Sequence, residues 1–217
     1  MSGPERMNLG LQPGETQEAW RQRRFGRVPR EVEPDPVRPS PGAVYLERTI
    51  PPAYRWARFD AGELGERVPK AALEQAGAAS AESRVCLMGI ARAGKTSLGV
   101  AMLRAWVART RRPAAFVHAY RLGVARIQHP AGQGEPEAVD VAMRMPLILL
   151  DDLGSERDHA FSAVSDVIFE RDAQALPTWV TTGLTREQLV KRYGLGIVAR
   201  LFERAKVIHV GGKASRL

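Results

Sequence analysis

The sequence predicts an α/β fold in which helices cover both faces of a central parallel sheet, giving three layers. Short aliphatic runs alternate with segments of helical periodicity from residue 84 onward. These runs are continuous and lack polar alternation, which is typical of parallel strands buried on both faces. The chain has 217 residues, 44% of them hydrophobic, which is enough for one well-buried core of ordinary domain size.

Each element is predicted from its local pattern. Aliphatic runs mark the strands, and apolar residues spaced three or four apart among helix formers mark the helices. The predicted strands are residues 84–88, 114–118, 146–150, 177–182 and 205–210. The predicted helices are residues 62–79, 95–110 and 160–174. A surface loop is predicted at residues 130–136.

Residues 1–48 differ in composition from the rest of the chain. Prolines recur there among charged residues and few aliphatics, so the segment cannot bury enough apolar surface to offset its ordering entropy. We therefore predict a short disordered Pro/Arg-rich extension over residues 1–48 that binds a partner, followed by one folded domain over residues 49–217. Residues 15–27 could form a basic amphipathic helix or remain a solvated tail, and composition leaves both open.

The charge balance bears on partners. The formal net charge is +8 and the pI is about 10.2, which favours a polyanion such as nucleic acid or an acidic membrane face, unless the charge reflects an arginine-rich coding bias. The single cysteine, Cys86, cannot form an internal disulfide and indicates a reducing compartment. No stretch approaches the roughly 18 apolar residues of a membrane span, and residues 1–13 lack a signal-peptide core. We expect a cytoplasmic protein without a membrane partner.

A phosphate-binding loop is predicted at residues 89–96, which read GIARAGKT and fit G-x-x-x-x-G-K-[ST]. Gly89 and Gly94 allow the backbone to curl so that amide N–H groups point at phosphates, and the following helix adds its positive N-terminus. Lys95 supplies a charge to the β- and γ-phosphates, and the Thr96 hydroxyl contributes to a Mg²⁺ shell. The residues predicted to contact the nucleotide here are Gly89, Ala91, Ala93, Gly94, Lys95, Thr96 and Ser97.

Two acids end the third predicted strand, where open α/β sheets bind ligands. Asp151 is predicted to hold Mg²⁺ together with Thr96, and Asp152 to act as a general base on the attacking water. The alternative, two acids that cap the next turn, loses weight because a phosphate loop lies about 55 residues upstream. The four histidines show no metal-ligand spacing and are assigned no role.

From residue 50 to the end, about three-quarters of the chain, the sequence resembles the DnaC/IstB family of AAA+ P-loop ATPases, which includes helicase loaders and transposition helpers. Several separate motifs carry the resemblance in the expected order. They are IPPAY at 50–54, GIARAGKT at 89–96, DDLG at 151–154, LPTWVTTGL at 176–184, YG at 193–194, VARLFE at 198–203 and GKASR at 212–216.

The resemblance implies further roles and an AAA+ ATPase domain over residues 49–217. Arg200 would be an arginine finger that reaches the γ-phosphate of a neighbouring subunit, an interaction worth about 10³–10⁵ in rate. The protein would then be a homo-oligomer with ATP sites between subunits. Arg216 would be a second sensor arginine acting on its own subunit's nucleotide. A helix-surface arginine paired with Glu203 is the alternative for Arg200.

One departure from the family pattern concerns hydrolysis. The family's sensor strand ends in Asn, whereas Gly183 stands here and has no side chain to orient a water. Either Thr182 substitutes as a nucleotide contact, or hydrolysis is slow and ATP acts mainly as a switch.

Three functions remain open from the sequence. The first is a DnaC-like ATPase that assembles on DNA, with single strands favoured, and loads a replicative helicase. The second is an IstB-like transposition helper that coats duplex DNA and recruits a transposase. The third is a nucleotide-gated adaptor without catalysis. Basic residues in 104–112, with Arg121 and Arg126, could track a DNA backbone or be an ordinary solvated surface.

Overall fold

The computed structural model describes residues 39–79, 84–130, 132–157 and 161–211, together with residues 14, 16 and 19. The chain divides into two compact units, residues 1–38 and residues 39–217. Every element discussed below belongs to the second unit. The predicted disorder and the predicted basic helix near the N-terminus fall almost wholly outside the described residues.

Five parallel strands form one sheet in the order β2-β3-β4-β1-β5. The strands are β1 (Val85–Met88), β2 (Ala114–His118), β3 (Leu147–Asp151), β4 (Thr178–Thr182) and β5 (Lys206–His209). All five predicted strands are confirmed, with each end displaced by at most one residue. Consecutive strands are joined through helices, as parallel pairing requires.

The described helices are α1 (Pro41–Thr49), α2 (Gly62–Arg67), α3 (Lys70–Gly77), α4 (Lys95–Thr110), α5 (Ala119–Gln128), α6 (Glu137–Arg144), α7 (Phe161–Ala173), α8 (Arg186–Tyr193) and α9 (Leu195–Phe202), with a 3₁₀ turn at Pro52–Tyr54. The predicted helix over 62–79 is two helices. Pro69 separates them, because a proline disfavours helical backbone in the residue before it and Val68 is extended.

Alternate residues along each strand enter two different cores, so the three-layer α/β prediction is confirmed. One face contributes residues such as Leu87, Leu149 and Trp179, which pack with α1, α2, α3 and α4. The other face contributes residues such as Cys86 and Ile148, which pack with helices α5 to α9. Both faces are buried, and for that reason the strands read as continuous apolar runs in the sequence.

Helix α1 corrects the predicted domain boundary. Residues 39–48 were assigned to the disordered extension, but α1 packs against the edge strand β2, and Leu46 and Ile50 are each 1% exposed. The Thr49 hydroxyl accepts a hydrogen bond from the backbone N–H of Phe116 at 3.0 Å, which satisfies a donor of that edge. Pro41, which contributed to the disorder prediction, stands at the start of the helix, where proline is favoured.

Candidate nucleotide-binding site

The loop of residues 89–94 joins β1 to α4 at the carboxyl edge of the sheet. At Gly89, a Cβ atom would lie 2.0 Å from the carbonyl oxygen of Val210. Gly94 has φ +90°, and a Cβ there would lie 2.7 Å from the Val68 side chain. Both predicted glycines are therefore required by the packing of the loop, which leaves the N-terminus of α4 open to a ligand.

Lys95 is drawn into this loop. Its Nζ donates hydrogen bonds to the carbonyl oxygens of Gly89 and Ile90, both at 2.8 Å, and the residue is buried. Burial lowers the pKa of the Lys95 ammonium, while the charges of Asp152 and Asp151 oppose that shift. The ammonium thus lies at the loop, where a phosphate-binding lysine is expected.

Asp151 is the last residue of β3 and is buried beneath the loop. Its Oδ1 accepts hydrogen bonds from the Thr96 hydroxyl at 2.9 Å and from the Thr181 hydroxyl at 2.7 Å. Burial raises the pKa of the Asp151 carboxyl, and these two hydroxyls oppose the rise. Thr96 and Asp151 thus place hard oxygen atoms together, and this donor set fits Mg²⁺.

Asp152 is exposed and lies at the start of the turn after β3. Its backbone has φ +56°, and its N–H donates to the Thr181 hydroxyl at 2.9 Å. One threonine side chain therefore contacts the Asp151 carboxylate and fixes the backbone from which the Asp152 carboxylate projects.

Thr181, which links both acids, was missed from the sequence, and Thr182 was chosen in its place. The Thr182 hydroxyl donates to the carbonyl oxygen of Leu153 at 2.8 Å and accepts from the N–H of Leu184 at 3.1 Å. Successive strand residues point to opposite faces, so only one of the two threonines can reach Asp151. The Thr182 hydroxyl is bonded to the turns that follow β3 and β4, and its contact with the nucleotide stays a prediction.

The turn after Asp152 is braced by a buried acid that the sequence reading overlooked. Glu156 accepts a hydrogen bond from the N–H of Gly154 at 2.9 Å and another from the hydroxyl of Tyr193. Burial raises the pKa of the Tyr193 hydroxyl, and the Glu156 charge adds to that rise. Tyr193 belongs to the YG motif, so this motif supports the acidic turn from α8.

Arg200 lies near the amino-terminal ends of the strands, at the other end of the sheet from the phosphate loop. Its Nε is 3.2 Å from Oδ2 of Asp172, its Nη1 donates to the carbonyl oxygen of Gly196 at 2.9 Å, and its guanidinium lies 4.3 Å from the ring centre of Phe169. The predicted alternative partner, Glu203, forms no ion pair with it among the described residues.

Arg84 shows how far Arg200 lies from the phosphate loop. Its Nη1 donates to the carbonyl oxygen of Arg200 at 2.5 Å, and Arg84 immediately precedes β1, whereas Gly89 follows that strand. The four residues of β1 span about 13 Å. Arg200 therefore lies toward the amino-terminal ends of the strands, whereas the phosphate loop follows their carboxyl-terminal ends.

The remaining predicted nucleotide contacts are Ala91, Ala93, Ser97 and Arg216. Ala91 and Ala93 lie in the loop and Ser97 is buried in the first turn of α4, so each places backbone near the site. Arg216 lies outside the described residues.

Two of the predicted DNA contacts are engaged within the protein. Arg104 donates to both carboxylate oxygens of Glu47 at 2.7 Å, and Arg126 pairs with Glu135 and Asp166. These bidentate and paired contacts tie α4 to α1 and α5 to α7, and they remove both arginines from the set available to a DNA backbone.

The fold is shared with proteins of known structure. Over 74% of its length the chain is similar to a crystal structure of the DnaC helicase loader, with 22% sequence identity, a TM-score of 0.62 and 100% of that solved chain covered. It is also similar to a putative primosome component from Streptococcus pyogenes serotype M3, with 22% identity and a TM-score of 0.52, over 65% of this chain and 76% of that chain. The chain has the fold of the DnaC-like AAA+ ATPases.

A third similar structure widens this DnaC-like group. AMPPCP-bound DnaA from Aquifex aeolicus shares 19% identity with a TM-score of 0.56, over 74% of this chain and 50% of that chain. The chain thus matches about half the length of that protein. Comparison of the sequence with protein families and with curated proteins gives no match. No helix in the described part of the chain has the length and apolar character needed to cross a bilayer.

Proposed function

We propose that this chain is an AAA+ ATPase that binds ATP and Mg²⁺ and acts on DNA as a DnaC-like loader of a replicative helicase. The observation that carries the ATPase proposal is the meeting of Lys95, Thr96 and Asp151 at one edge of the sheet, beneath the N-terminus of α4. A surface lysine in an ordinary glycine turn would be solvated, whereas Lys95 is buried and hydrogen-bonded to the loop.

Each group has a defined task in this proposal. The backbone of residues 89–94 and the Lys95 ammonium bind the phosphates, while Thr96 and Asp151 hold Mg²⁺. The ion supplies positive charge that neutralises the phosphate oxygens. Asp152 accepts the proton of the attacking water, and Thr181 holds the backbone of Asp152 in place for that role.

Arg200 is proposed to act in trans. It lies about one strand length from its own phosphate loop, so a second chain must present its phosphate site to Arg200. Its Nε and Nη1 are engaged, and its Nη2 has no hydrogen-bond partner among the described residues. That nitrogen is available to a phosphate oxygen of a neighbouring subunit.

The DNA and helicase assignments rest on similarity and charge. All of the solved chain of the DnaC helicase loader is matched, and DnaA bound to AMPPCP and single-stranded DNA has a similar fold with a TM-score of 0.58. The net charge of +8 favours a polyanion. Exposed arginines at 109, 111, 112 and 121 remain for a DNA backbone after Arg104 and Arg126 are set aside.

A nucleotide-gated adaptor is the second candidate, and one local observation favours it. Gly183 stands where a water-orienting side chain is expected, and the Thr182 hydroxyl is committed elsewhere. In that case ATP binding would still organise the oligomer, but turnover would be very slow.

The ATPase rate of the purified protein, alone and with single-stranded or duplex DNA, tests these proposals. Stimulation by single strands supports the loader. Preferential stimulation by duplex DNA would move the assignment to a transposition helper. Tight ATP binding without turnover under any condition would establish the adaptor.

A mixing experiment tests the trans action of Arg200. Lys95→Ala should abolish ATP binding, and Arg200→Ala should retain binding but lose DNA-stimulated turnover. An equal mixture should regain about a quarter of the wild-type rate, because intact fingers then face intact sites at about a quarter of random interfaces. Lys191→Ala, an exposed charge on α8, is the matched control. An Arg200→Ala protein that hydrolyses ATP normally would contradict the assignment.

A further inference from the structure

A second cavity lies between the N-terminal elements and the edge of the sheet. It has a volume of about 710 Å³ and is bounded by α1 and the 3₁₀ turn on one side and by β2, α5 and α6 on the other. Asp151 lies at its margin, but none of the residues 89–96 lines it. Its size is that of a small-ligand site and is larger than a single nucleotide requires.

The cavity carries an excess of positive charge. Arg48, Arg55 and Arg121 line it, and the acids in its lining are Glu137 and the buried Asp151. Among the described residues, none of the three guanidinium groups has a hydrogen bond or an ion pair, whereas Arg104 and Arg126 nearby are each paired with carboxylates. Three unpaired arginines at one cavity provide a site for an anion with several oxygen atoms, such as a phosphate.

One wall is aromatic and held in place. Tyr54 stacks on Phe116 with ring centres 6.4 Å apart, and Tyr45 lines the same cavity from α1. The hydrogen bond between the Thr49 hydroxyl and the Phe116 N–H fixes α1 against β2, so the wall does not depend on a ligand to form. An aromatic wall beside arginines is suited to a planar ring that carries a phosphate.

A buried polar atom also lacks a partner. Nδ1 of His118, the last residue of β2, has no hydrogen-bond partner among the described residues, and His118 lines the cavity. Buried polar atoms are rarely left unsatisfied, because their desolvation is not compensated. His118 also stands opposite Asp151 on the neighbouring strand, and both residues line the cavity, so the cavity adjoins the proposed Mg²⁺ ligand.

We propose that this cavity is a second nucleotide site, separate from the phosphate loop. Arg48, Arg55 and Arg121 bind the phosphate, Tyr45 and Tyr54 face the base, and His118 supplies a polar contact. A free nucleotide and one unit of single-stranded DNA share this chemistry. The inference goes beyond the proposed function, because it holds whether or not the phosphate loop hydrolyses ATP.

Binding is measured in full-length protein that carries Lys95→Ala, so that the phosphate loop does not contribute. Two probes are titrated with fluorescence anisotropy: mant-labelled ADP, and fluorescein-labelled oligothymidylate of about ten nucleotides. Arg48→Gln combined with Arg121→Gln should weaken binding of at least one probe by about tenfold or more. If the oligonucleotide is the ligand, the slope of log K against log salt should also fall by up to roughly 0.7, the value for one phosphate contact on a single strand.

The matched control combines Lys70→Gln with Lys191→Gln, which removes the same charge from exposed positions on α3 and α8. Loss of mant-ADP binding alone identifies a free nucleotide as the ligand, and loss of oligonucleotide binding identifies a unit of single-stranded DNA. Both outcomes support the site. Equal effects of the two double variants, or no effect of the first, overturn it. Failure of the proposed ATPase would appear separately, as absence of turnover in protein with Lys95 intact.

Discussion

Arg171 is a buried cation that holds the starts of two site-bearing strands. It is 0% exposed, and burial lowers the pKa of its guanidinium to about 10. Its Nη1 donates to the carbonyl oxygens of Ala142 and Met145, both at 2.8 Å, its Nη2 to that of Pro177 at 2.6 Å, and its Nε to the Thr178 hydroxyl at 2.9 Å. It therefore joins the segment that leads into β3 to the first residue of β4.

Arg171→Met should lower the free energy of unfolding by about 3 kcal/mol. The variant leaves three carbonyl oxygens without this donor, at about 1 kcal/mol or more each. The Ala142 carbonyl has no helical replacement, because residue 146, four positions on, is a proline without an N–H. Relief of the buried charge offsets part of the loss, and the remainder is a large share of the 5–15 kcal/mol typical of a folded domain.

Urea unfolding followed by circular dichroism measures this loss. With a slope of about 2 kcal/mol/M, the midpoint should fall by about 1.5 M. Arg144→Met removes an exposed arginine whose partner is Asp140 on the same helix, and it should change stability by less than about 0.5 kcal/mol. If Arg171→Met proves insoluble, Thr178→Val removes the hydroxyl that accepts from Arg171 and donates to the Leu176 carbonyl oxygen at 3.3 Å, and it should cost about 1–2 kcal/mol. A loss below about 1 kcal/mol in Arg171→Met would refute the reasoning.

Three further variants test the catalytic edge and the finger. Gly183→Asn should raise ATP turnover by about tenfold or more, because the asparagine amide can orient the attacking water. The side chain has room, since the nearest atom to a new Cβ is 3.8 Å away. Unchanged turnover with intact ATP binding would exclude that role. Thr181→Val should lower turnover about tenfold in a steady-state assay by releasing Asp151, whereas Thr181→Ser, which keeps the hydroxyl, should retain the rate. Asp172→Asn should reduce DNA-stimulated turnover without changing mant-ADP affinity, because the Asp172 carboxylate positions Arg200. A loss of mant-ADP affinity as large as the loss of turnover would indicate a structural role instead.

The parts of the fold that were predictable depend on short sequence windows. The strand ends follow from continuous aliphatic runs, and the phosphate loop follows from two glycines that the packing requires at fixed spacing. The acids Asp151 and Asp152 were predictable because the carboxyl ends of parallel strands meet at one edge.

The errors arose where a distant contact decides the outcome. Thr181 was missed because its contact with Asp151 depends on which face of β4 it occupies, and the sequence of β4 does not reveal that parity. Helix α1 was mistaken for disorder because Pro41 and the neighbouring prolines and charged residues are evident in the sequence. Its packing against the edge strand β2 is not evident there. The partner of Arg200 is Asp172, 28 positions away on another helix, which no helical spacing rule indicates.

The separation of Lys95 and Arg200 on opposite edges of the sheet gives any trans-acting assembly a direction. Each chain would offer its loop to one neighbour and its arginine to the other, so the contact is head-to-tail. In a closed ring every ATP site would be complete. In an open filament one terminal chain would hold ATP without a finger, and hydrolysis there would lag behind that of the interior. Such a slow end would persist as a nucleotide-bound cap, which would let the filament grow and shorten at different ends.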